Sequence, residues 1–413
     1  MATASNTLLT DDIITNEALA VLRNQFVLAS RALRPVDDLF GQTGMKAGDT
    51  IRVRVPVRYT SATGAAVNKQ NSTETNTNIQ LIQRNIGMGF SSKDRTLSID
   101  DFSSRFIAPA MAQLANDIDQ DGFALFYKIP NLVTPGSYSA GIPAAFTGAD
   151  VSTLRPFLDA GARLTEQAAP IDNDRYVAVT PSAQAGVLDG LKGLFQSADQ
   201  IADQYKRGLM GIAAGFQWVV AQALPSFTCG TRTNVTPIVN GAQTGSSLLL
   251  SGAGNTLTVS QGDQFTIGGV YAINPLTRLA SNKLQVFTVL TAATTSAGGA
   301  VTLSISPAIN VTAPNQTVSA QAANGATVTW IGAANTVSDV NIAWHKNAFM
   351  VAFCQLTSDL SGADASVATD PESGISVRLV KQYNAETDEQ VTRLDVLYGW
   401  QVVRPTLAVR IQG

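Results

Sequence analysis

The sequence predicts an α+β chain that carries a separate all-β segment. Three observations predict it: a strand near residue 50 in which apolar and basic residues alternate, a helical stripe from Ile107 to Leu125, and a run from Cys229 to Val340 almost empty of charge. In the strand, Ile51, Val53, Val55 and Val57 alternate with Arg52, Arg54, Pro56 and Arg58. A period of two gives one apolar and one basic face. Pro56 has no N–H for a ladder, so the strand reads as an edge or a protruding arm. The return stretch NIQLIQRNIGMGFSS keeps Ile82, Ile86, Met88 and Phe90 in phase while Ile79 and Leu81 fall out of it, which predicts a bulge near Leu81. The polar stretch between them cannot build a core. A two-stranded hairpin is marginal alone in water. Its apolar face is therefore expected on another subunit, in an obligate assembly.

The helical stripe follows the hairpin. Asp100 or Asp101 can cap a first turn and Pro109 suits a first helical position. Ile107, Met111, Leu114, Ile118 and Leu125, with Gly122 completing the i+4 step, share one face from Ala108 to Tyr127, a rod of about 30 Å that Pro130 stops. Before the hairpin, Leu19, Leu22, Phe26, Ala29 and Leu33 predict an amphipathic helix over 16–33, ended by Pro35.

Beyond residue 130, 151–169 and 181–195 read as helices flanking a strand at 175–180, an α/β or α+β layer. Residues 208–224 give a glycine-broken apolar strand. Between Cys229 and Val340 only Arg232, Asp263, Arg278, Lys283 and Asp339 carry charge, and short β-branched runs are spaced by Gly, Asn, Ser and Pro. That is the pattern of a small antiparallel barrel or sandwich inserted within another domain. NIAWHKNAFMVAF then reads as one strand, 375–380 and 391–398 as a hairpin, and 400–411 as a final strand.

Composition narrows the function. Charged residues make up 14% of the 413, against a usual quarter, and the net charge of −3 with no basic tail argues against sequence-wide nucleic-acid binding. Cys229 and Cys354 are too few for a disulfide framework and are expected as free thiols in a reducing cytosol. No secretory leader pattern and no apolar run of membrane-spanning length is present, so the chain is expected to be soluble and made in the cytoplasm. His345 is the only histidine, which excludes two-histidine zinc motifs. Asp117, Asp119, Asp121 and Gly122 copy the opening of an EF-hand loop, but the twelfth position is Lys128 where a bidentate Glu is needed. The stretch is read as a solvated acidic helix face, and the pairs Asp100/Asp101 and Asp172/Asp174 as caps or turns. No enzyme, cofactor or metal site is expected.

A basic-faced hairpin followed by LSIDDFSSRFIAPAMAQLANDIDQDGF resembles the extended loop and spine helix of tailed-phage major capsid proteins of the Hong Kong 97 type. GLMGIAAGFQWVVAQALP at 208–225 and VRLVKQYNAETDEQVTRLDVLYGWQVVRPTLAVRI at 377–411 agree with it. The inserted barrel places the resemblance with the podovirus-type coat proteins. It implies an N-terminal arm (1–40), an extended loop (41–100), a spine helix (101–130), an axial domain (131–228 and 341–398) with the inserted barrel (229–340), and a C-terminal strand beside the spine (399–413). It implies a major capsid protein whose pentamers and hexamers form an icosahedral shell around a double-stranded DNA genome, held without sequence-specific binding. Implied partners are further copies of the chain, a scaffolding protein, a portal protein and a decoration protein, with no membrane. Arg52, Arg54, Arg58, Lys69 and Arg84 are assigned to contacts between subunits. Ile107, Met111, Leu114, Ile118 and Leu125 are assigned to the spine core. An encapsulin-like compartment shell and a Thr/Asn-rich surface adhesin are the alternatives; the barrel argues against the first and the missing leader against the second.

Overall fold

A computed structural model describes residues 10–34, 50–55, 57–61, 63–65, 69–70, 75–91, 106–136, 139, 141–191, 210–232, 236–360, 362–371, 373–385, 387 and 389–413. Pro35, Pro56, Asp100, Asp101 and residues 192–209 lie outside the described residues. In chain order the first elements are α1 (Thr10–Gln25), β1 (Thr50–Val55), β2 (Thr75–Gln80), β3 (Ile82–Ser91), α2 (Ala108–Phe123), β4 (Leu132–Val133), α3 (Arg155–Glu166), β5 (Arg175–Val179) and α4 (Pro181–Leu191). Then come β6 (Ile212–Ala213), β7 (Phe216–Val220), β8 (Ser226–Thr228), β9 (Ile238–Val239), β10 (Gly245–Ser251), β11 (Thr258–Val259), β12 (Gln264–Ile273), β13 (Ala280–Val289), β14 (Ala293–Thr294), β15 (Val301–Ile309) and β16 (Val328–Ile331). The last are β17 (Val337–Asp339), β18 (Asn341–His345), β19 (Phe349–Cys354), β20 (Asp364–Thr369), β21 (Ser376–Asn384), β22 (Glu389–Val402) and β23 (Ala408–Ile411).

The chain divides into two compact units. The first comprises Met1–Arg54, Asn76–Gly122 and Met350–Gln401. Its sheet has the order β19-β22-β21-β20, with β3 also pairing β22. The β21–β22 hairpin turns with Asn384 opposite Glu389. The return stretch of the first hairpin differs from expectation. It breaks at Leu81 into two strands: β2 pairs β1, whereas β3 runs antiparallel to β22 from Ser91 opposite Glu389 to Ile82 opposite Tyr398. The phase slip at Leu81 is therefore a change of partner and not a bulge. The helix α1 packs against β20 and β21. It buries Ala18, Leu19 and Leu22 and ends at Gln25 where the sequence predicts a continuation to Leu33.

The side chains of Ile107, just before α2, and of Met111, Leu114, Ala115 and Ile118 within it are buried. The α-helix stops at Phe123 and a 3₁₀ turn, Ala124–Lys128, replaces the expected last turn. With three residues per turn instead of 3.6, the tighter winding rotates Leu125 off the stripe. Leu125 is half-buried, and Phe123 is the residue taken fully inside.

The second unit comprises Val55–Thr75, Phe123–Phe349 and Val402–Gly413. Its mixed sheet has the order β4-β23-β18-β5-β7-β6, and β5, β18 and β23 are buried along their whole length. Continuous burial requires unbroken apolar runs, which RYVAV, NIAWH and AVRI supply apart from a few polar residues near their ends. The stretch NIAWHKNAFMVAF is two strands, β18 and β19, separated by a turn in which Ala348 N–H donates to His345 O at 2.8 Å. The final stretch also splits. β22 extends to Val402, Pro405 opens a 3₁₀ turn, and β23 joins β18 and β4 in this sheet.

Residues 238–331 form a second sheet in this unit, order β16-β12-β13-β15-β10-β9, every ladder antiparallel. The bridge between Ile238 and Thr327 joins its two ends, so the sheet is nearly closed into a barrel. Its core is Leu248, Leu250, Phe265, Ile267, Phe287, Val289, Leu303, Ile305 and their neighbours. The low charge of this stretch goes with that closure: alternate residues of β10 and of the first half of β15 fill the interior, whereas Gln264–Ile267 of β12 and Leu284–Val289 of β13 are buried on both faces.

Candidate assembly interface

Three successive backbone N–H groups converge on one side chain of α2. Val27 and Leu28 donate to Oδ2 of Asp119 at 2.6 and 3.1 Å, and Ala29 donates to Oδ1 at 3.0 Å. An N–H that points at a carboxylate cannot bond the carbonyl four residues back, so α1 cannot continue through these residues. The segment instead folds into a turn. Arg31 N–H donates to Leu28 O at 2.9 Å, and the Ser30 hydroxyl donates to Phe26 O at 3.0 Å. Asp119 is 2% exposed. Burial pushes its carboxyl up to about 6, against the three N–H groups and Arg31, which favour the ionised form. Beside it Gly122 allows the close approach: a Cβ there would lie 2.6 Å from Leu28 Cδ2 and 2.8 Å from Trp400 Cε2. The Trp400 indole donates to Ile118 O at 2.9 Å. The acidic run read as a solvated face is thus, at Asp119, a buried anchor for the N-terminal segment.

Asp121, two residues on, binds Arg84 of β3. Arg84 donates from Nη2 to Oδ1 at 2.7 Å and from Nε to Oδ2 at 3.0 Å, and Nε also reaches the Tyr398 hydroxyl at 2.8 Å. The Tyr398 hydroxyl in turn donates to Asp121. The carboxylate holds the Arg84 proton more tightly than usual, and burial raises the phenol. Arg84, assigned with the extended loop to contacts between subunits, is engaged inside the subunit because β3 pairs β22 above α2's acidic residues. Among the described residues, no group of three His, Cys, Asp or Glu side chains could hold a metal ion.

Of the other loop residues, Arg52 and Lys69 are exposed, and Arg54 is also on the exposed side of its strand. Arg58 is half-buried, and burial together with Arg404 lowers its pKa. Ile51 and Ile79 are buried within the subunit, so part of the hairpin's apolar face is covered without a neighbour. Gln70 closes the loop at its far end, accepting from Thr60 N–H at 2.8 Å and donating back to Thr60 O.

A second buried polar cluster fastens the barrel within its own unit. Asp263 is fully buried and accepts from Arg232 Nη2 at 3.0 Å and from Ser260 N–H at 2.7 Å. Arg232 also donates to Gly332 O at 2.9 Å and lies 4.8 Å from the Trp330 ring. Arg410 of β23 donates to Gly262 O and to Gln412 Oε1, both at 2.9 Å, with Phe126 and Phe227 rings 5.0 and 5.2 Å away. Burial pulls Arg410 down to about 9 and pushes the Cys229 thiol up to about 11. Lys283 adds an ion pair to Glu166 of α3 at 2.6 Å. Sequence reasoning missed the roles of these residues. The available signal was the survival of a few charges in a segment that has shed the rest. His345 is buried; its Nδ1 accepts from Asn347 N–H at 3.2 Å, so Nε2 carries the hydrogen that faces Asp172 at 3.1 Å.

All 413 residues match the model of a family described as P22 coat protein, gene protein 5. No sequence among the curated proteins matches. Among solved structures, the chain is similar to the capsid of Ralstonia phage GP4, with 9% identity, a TM-score of 0.50, and coverage of 92% of this chain and 86% of that one. It is also similar to a chain of Mycobacterium phage Che8 at 12% identity and a TM-score of 0.44, covering 94% and 90% of the two chains. A third similarity is to the capsid of Cyanophage P-SCSP1u, at 12% identity and a TM-score of 0.43, covering 92% and 88%. With a match over its whole length and an α+β fold that carries a nearly closed barrel, the chain belongs to the P22 coat protein family and is a major capsid protein of the phage head shell.

Proposed function

We propose that the chain builds the pentamers and hexamers of an icosahedral shell that encloses the double-stranded DNA genome of a tailed phage. The whole-length family match carries this reading. Its work is assembly and involves no catalysis or cofactor. Many weak, repeated interfaces add up through multivalency. Residues 229–340 act as an inserted domain on the axial layer, and the spine core of Ile107, Met111, Leu114 and Ile118 serves as the rigid strut. A scaffolding protein and a portal protein are the partners during assembly in the host cytoplasm, and a decoration protein can follow. The enclosed DNA is held without sequence-specific binding, in keeping with a net charge of −3. Electron microscopy of the purified chain tests this. Shells, tubes or capsomers are expected, and a dispersed monomer under all assembly conditions would overturn it.

The loop residues Arg52, Arg54, Arg58 and Lys69 are proposed to face a neighbouring subunit. Exposed ion pairs are worth only ~0–1 kcal/mol each, but a reversed charge confronts a like charge at every copy and can cost several kcal/mol per interface. Arg54→Glu is therefore expected to leave circular dichroism and melting temperature near wild type while slowing or abolishing shell formation by sedimentation. Normal assembly of this variant removes the loop from the interface.

A further inference from the structure

We propose that Asn240 is a deamidation site whose reaction is held back by the side chain of Asn324 across the seam of the barrel. The sequence holds two Asn-Gly pairs, Asn240-Gly241 and Asn324-Gly325. Such a pair is chemically labile, because glycine has no Cβ to obstruct attack of its backbone nitrogen on the preceding side-chain amide. In that attack the glycine nitrogen bonds to Asn Cγ and the Cγ–Nδ2 bond breaks. Nδ2 leaves as ammonia, taking the glycine N–H proton. Solvent water then opens the cyclic imide at either carbonyl, giving aspartate or isoaspartate, with no oxidant, reductant or cofactor.

The two pairs meet where the barrel closes. The first follows β9 and the second precedes β16, and bridges pair Ile238 with Thr327 and Gln243 with Ala322 on either side of them. Each attacking nitrogen is held from across this seam. Gly325 N–H donates to Val239 O at 2.9 Å, and Val239 N–H donates to Ala326 O at 3.0 Å. Gly241 N–H donates to Asn324 Oδ1 at 2.8 Å. A nitrogen so engaged must leave its acceptor before it can reach its own asparagine. Both glycines have positive φ, 79° at Gly241 and 76° at Gly325. The turns therefore ask for glycine, and protection has to come from hydrogen bonding.

The two locks are unequal. Gly325 is held by a main-chain carbonyl that belongs to the seam itself. Gly241 is held by one side chain, and both Asn240 and Asn324 are exposed to the water that the second step consumes. The Asn240 main chain is fixed, its N–H on Leu249 O at 3.0 Å and its carbonyl accepting from Gln243 Nε2 at 2.8 Å. What remains to move is the Gly241 nitrogen and the Asn240 side chain, so release by Asn324 sets the rate.

The test ages the full chain in mildly alkaline buffer and follows aspartate and isoaspartate at position 240 by peptide mass spectrometry. Asn324→Ala is expected to speed conversion of Asn240 about fivefold or more, the factor that ~1 kcal/mol of hydrogen bond supplies. Asn324→Asp keeps an oxygen acceptor for Gly241 N–H and is expected to convert no faster than wild type. Hydrogen exchange on the same variants separates a guard from a general loosening: in Asn324→Ala the Gly241 amide loses protection while the Gly325 amide keeps it. An unchanged rate at Asn240 in Asn324→Ala overturns the proposal, and so does faster conversion in Asn324→Asp. Joint loss of protection at Gly241 and Gly325 overturns it too, because the seam as a whole would then be the lock.

Discussion

Replacing Asp119 by alanine is expected to release residues 26–31 from α2 and to lower stability by about 2–4 kcal/mol. The wild-type carboxylate satisfies three buried N–H groups at 2.6, 3.1 and 3.0 Å. Each such donor left without a partner costs roughly 1–3 kcal/mol. Removing a desolvated carboxylate returns part of that, which is why the net stays below the sum. Hydrogen exchange reads the effect directly: the amides of Val27, Leu28 and Ala29 lose protection together. Their continued protection in the variant would show that Phe26 and Leu28 packing, and not the carboxylate, holds the segment. The pH dependence has a definite sign. Burial raises the native carboxyl from 3.8 to about 6, so the folded chain binds this proton more tightly than the unfolded one. The group's favourable contribution is complete below about pH 4 and is lost as pH rises through 6. Urea denaturation should therefore show a larger wild-type advantage over Asp119→Asn near about pH 4.5 than near about pH 7. A difference that does not change with pH would place the carboxyl at its ordinary value.

Asp263→Ala is the second substitution of large effect, with an expected loss of about 3–5 kcal/mol. It removes the carboxylate that pairs with Arg232 and leaves Arg232 and the fully buried Arg410 as uncompensated neighbours. It also strips the acceptor from Ser260 N–H. Breaking one side of a buried ion pair is worse than removing both, because the surviving charge has no water to return to. The double variant Asp263→Leu with Arg232→Met is accordingly expected to be more stable than Asp263→Ala alone. Chemical denaturation of the single and double variants beside the wild type measures this. A single-variant loss under about 1 kcal/mol would mean that water already reaches the pair.

The sequence by itself determined the parts whose signal is local and periodic. The basic-apolar alternation of β1, the stripe of α2 down to Ile118, the hairpin of β21 and β22 and the all-β insert follow from side-chain period, and period is set by the backbone geometry of one element at a time. Only the tertiary structure decided the rest. Leu81 reads as a bulge in sequence, and the choice between a bulge and a switch of partner depends on β22, about three hundred residues away in the chain. Residues 400–411 read as one strand, yet the chain leaves β22 at Val402, turns at Pro405 and begins β23 at Ala408 in a different sheet. Which sheet takes each half is set by partners remote in sequence, β3 for one and β18 for the other. Asp119 differs from Asp117 and Asp121 by nothing visible in sequence, because an aspartate's solvation is decided by what packs over it. Here Leu28, Gly122 and Trp400 pack closely together, and the three N–H groups of 27–29 make burial of a carboxylate tolerable. Arg410 is the same case with the opposite sign: a charge that a strand pattern assigns to solvent is held inside by two carbonyl-type oxygens and two aromatic rings.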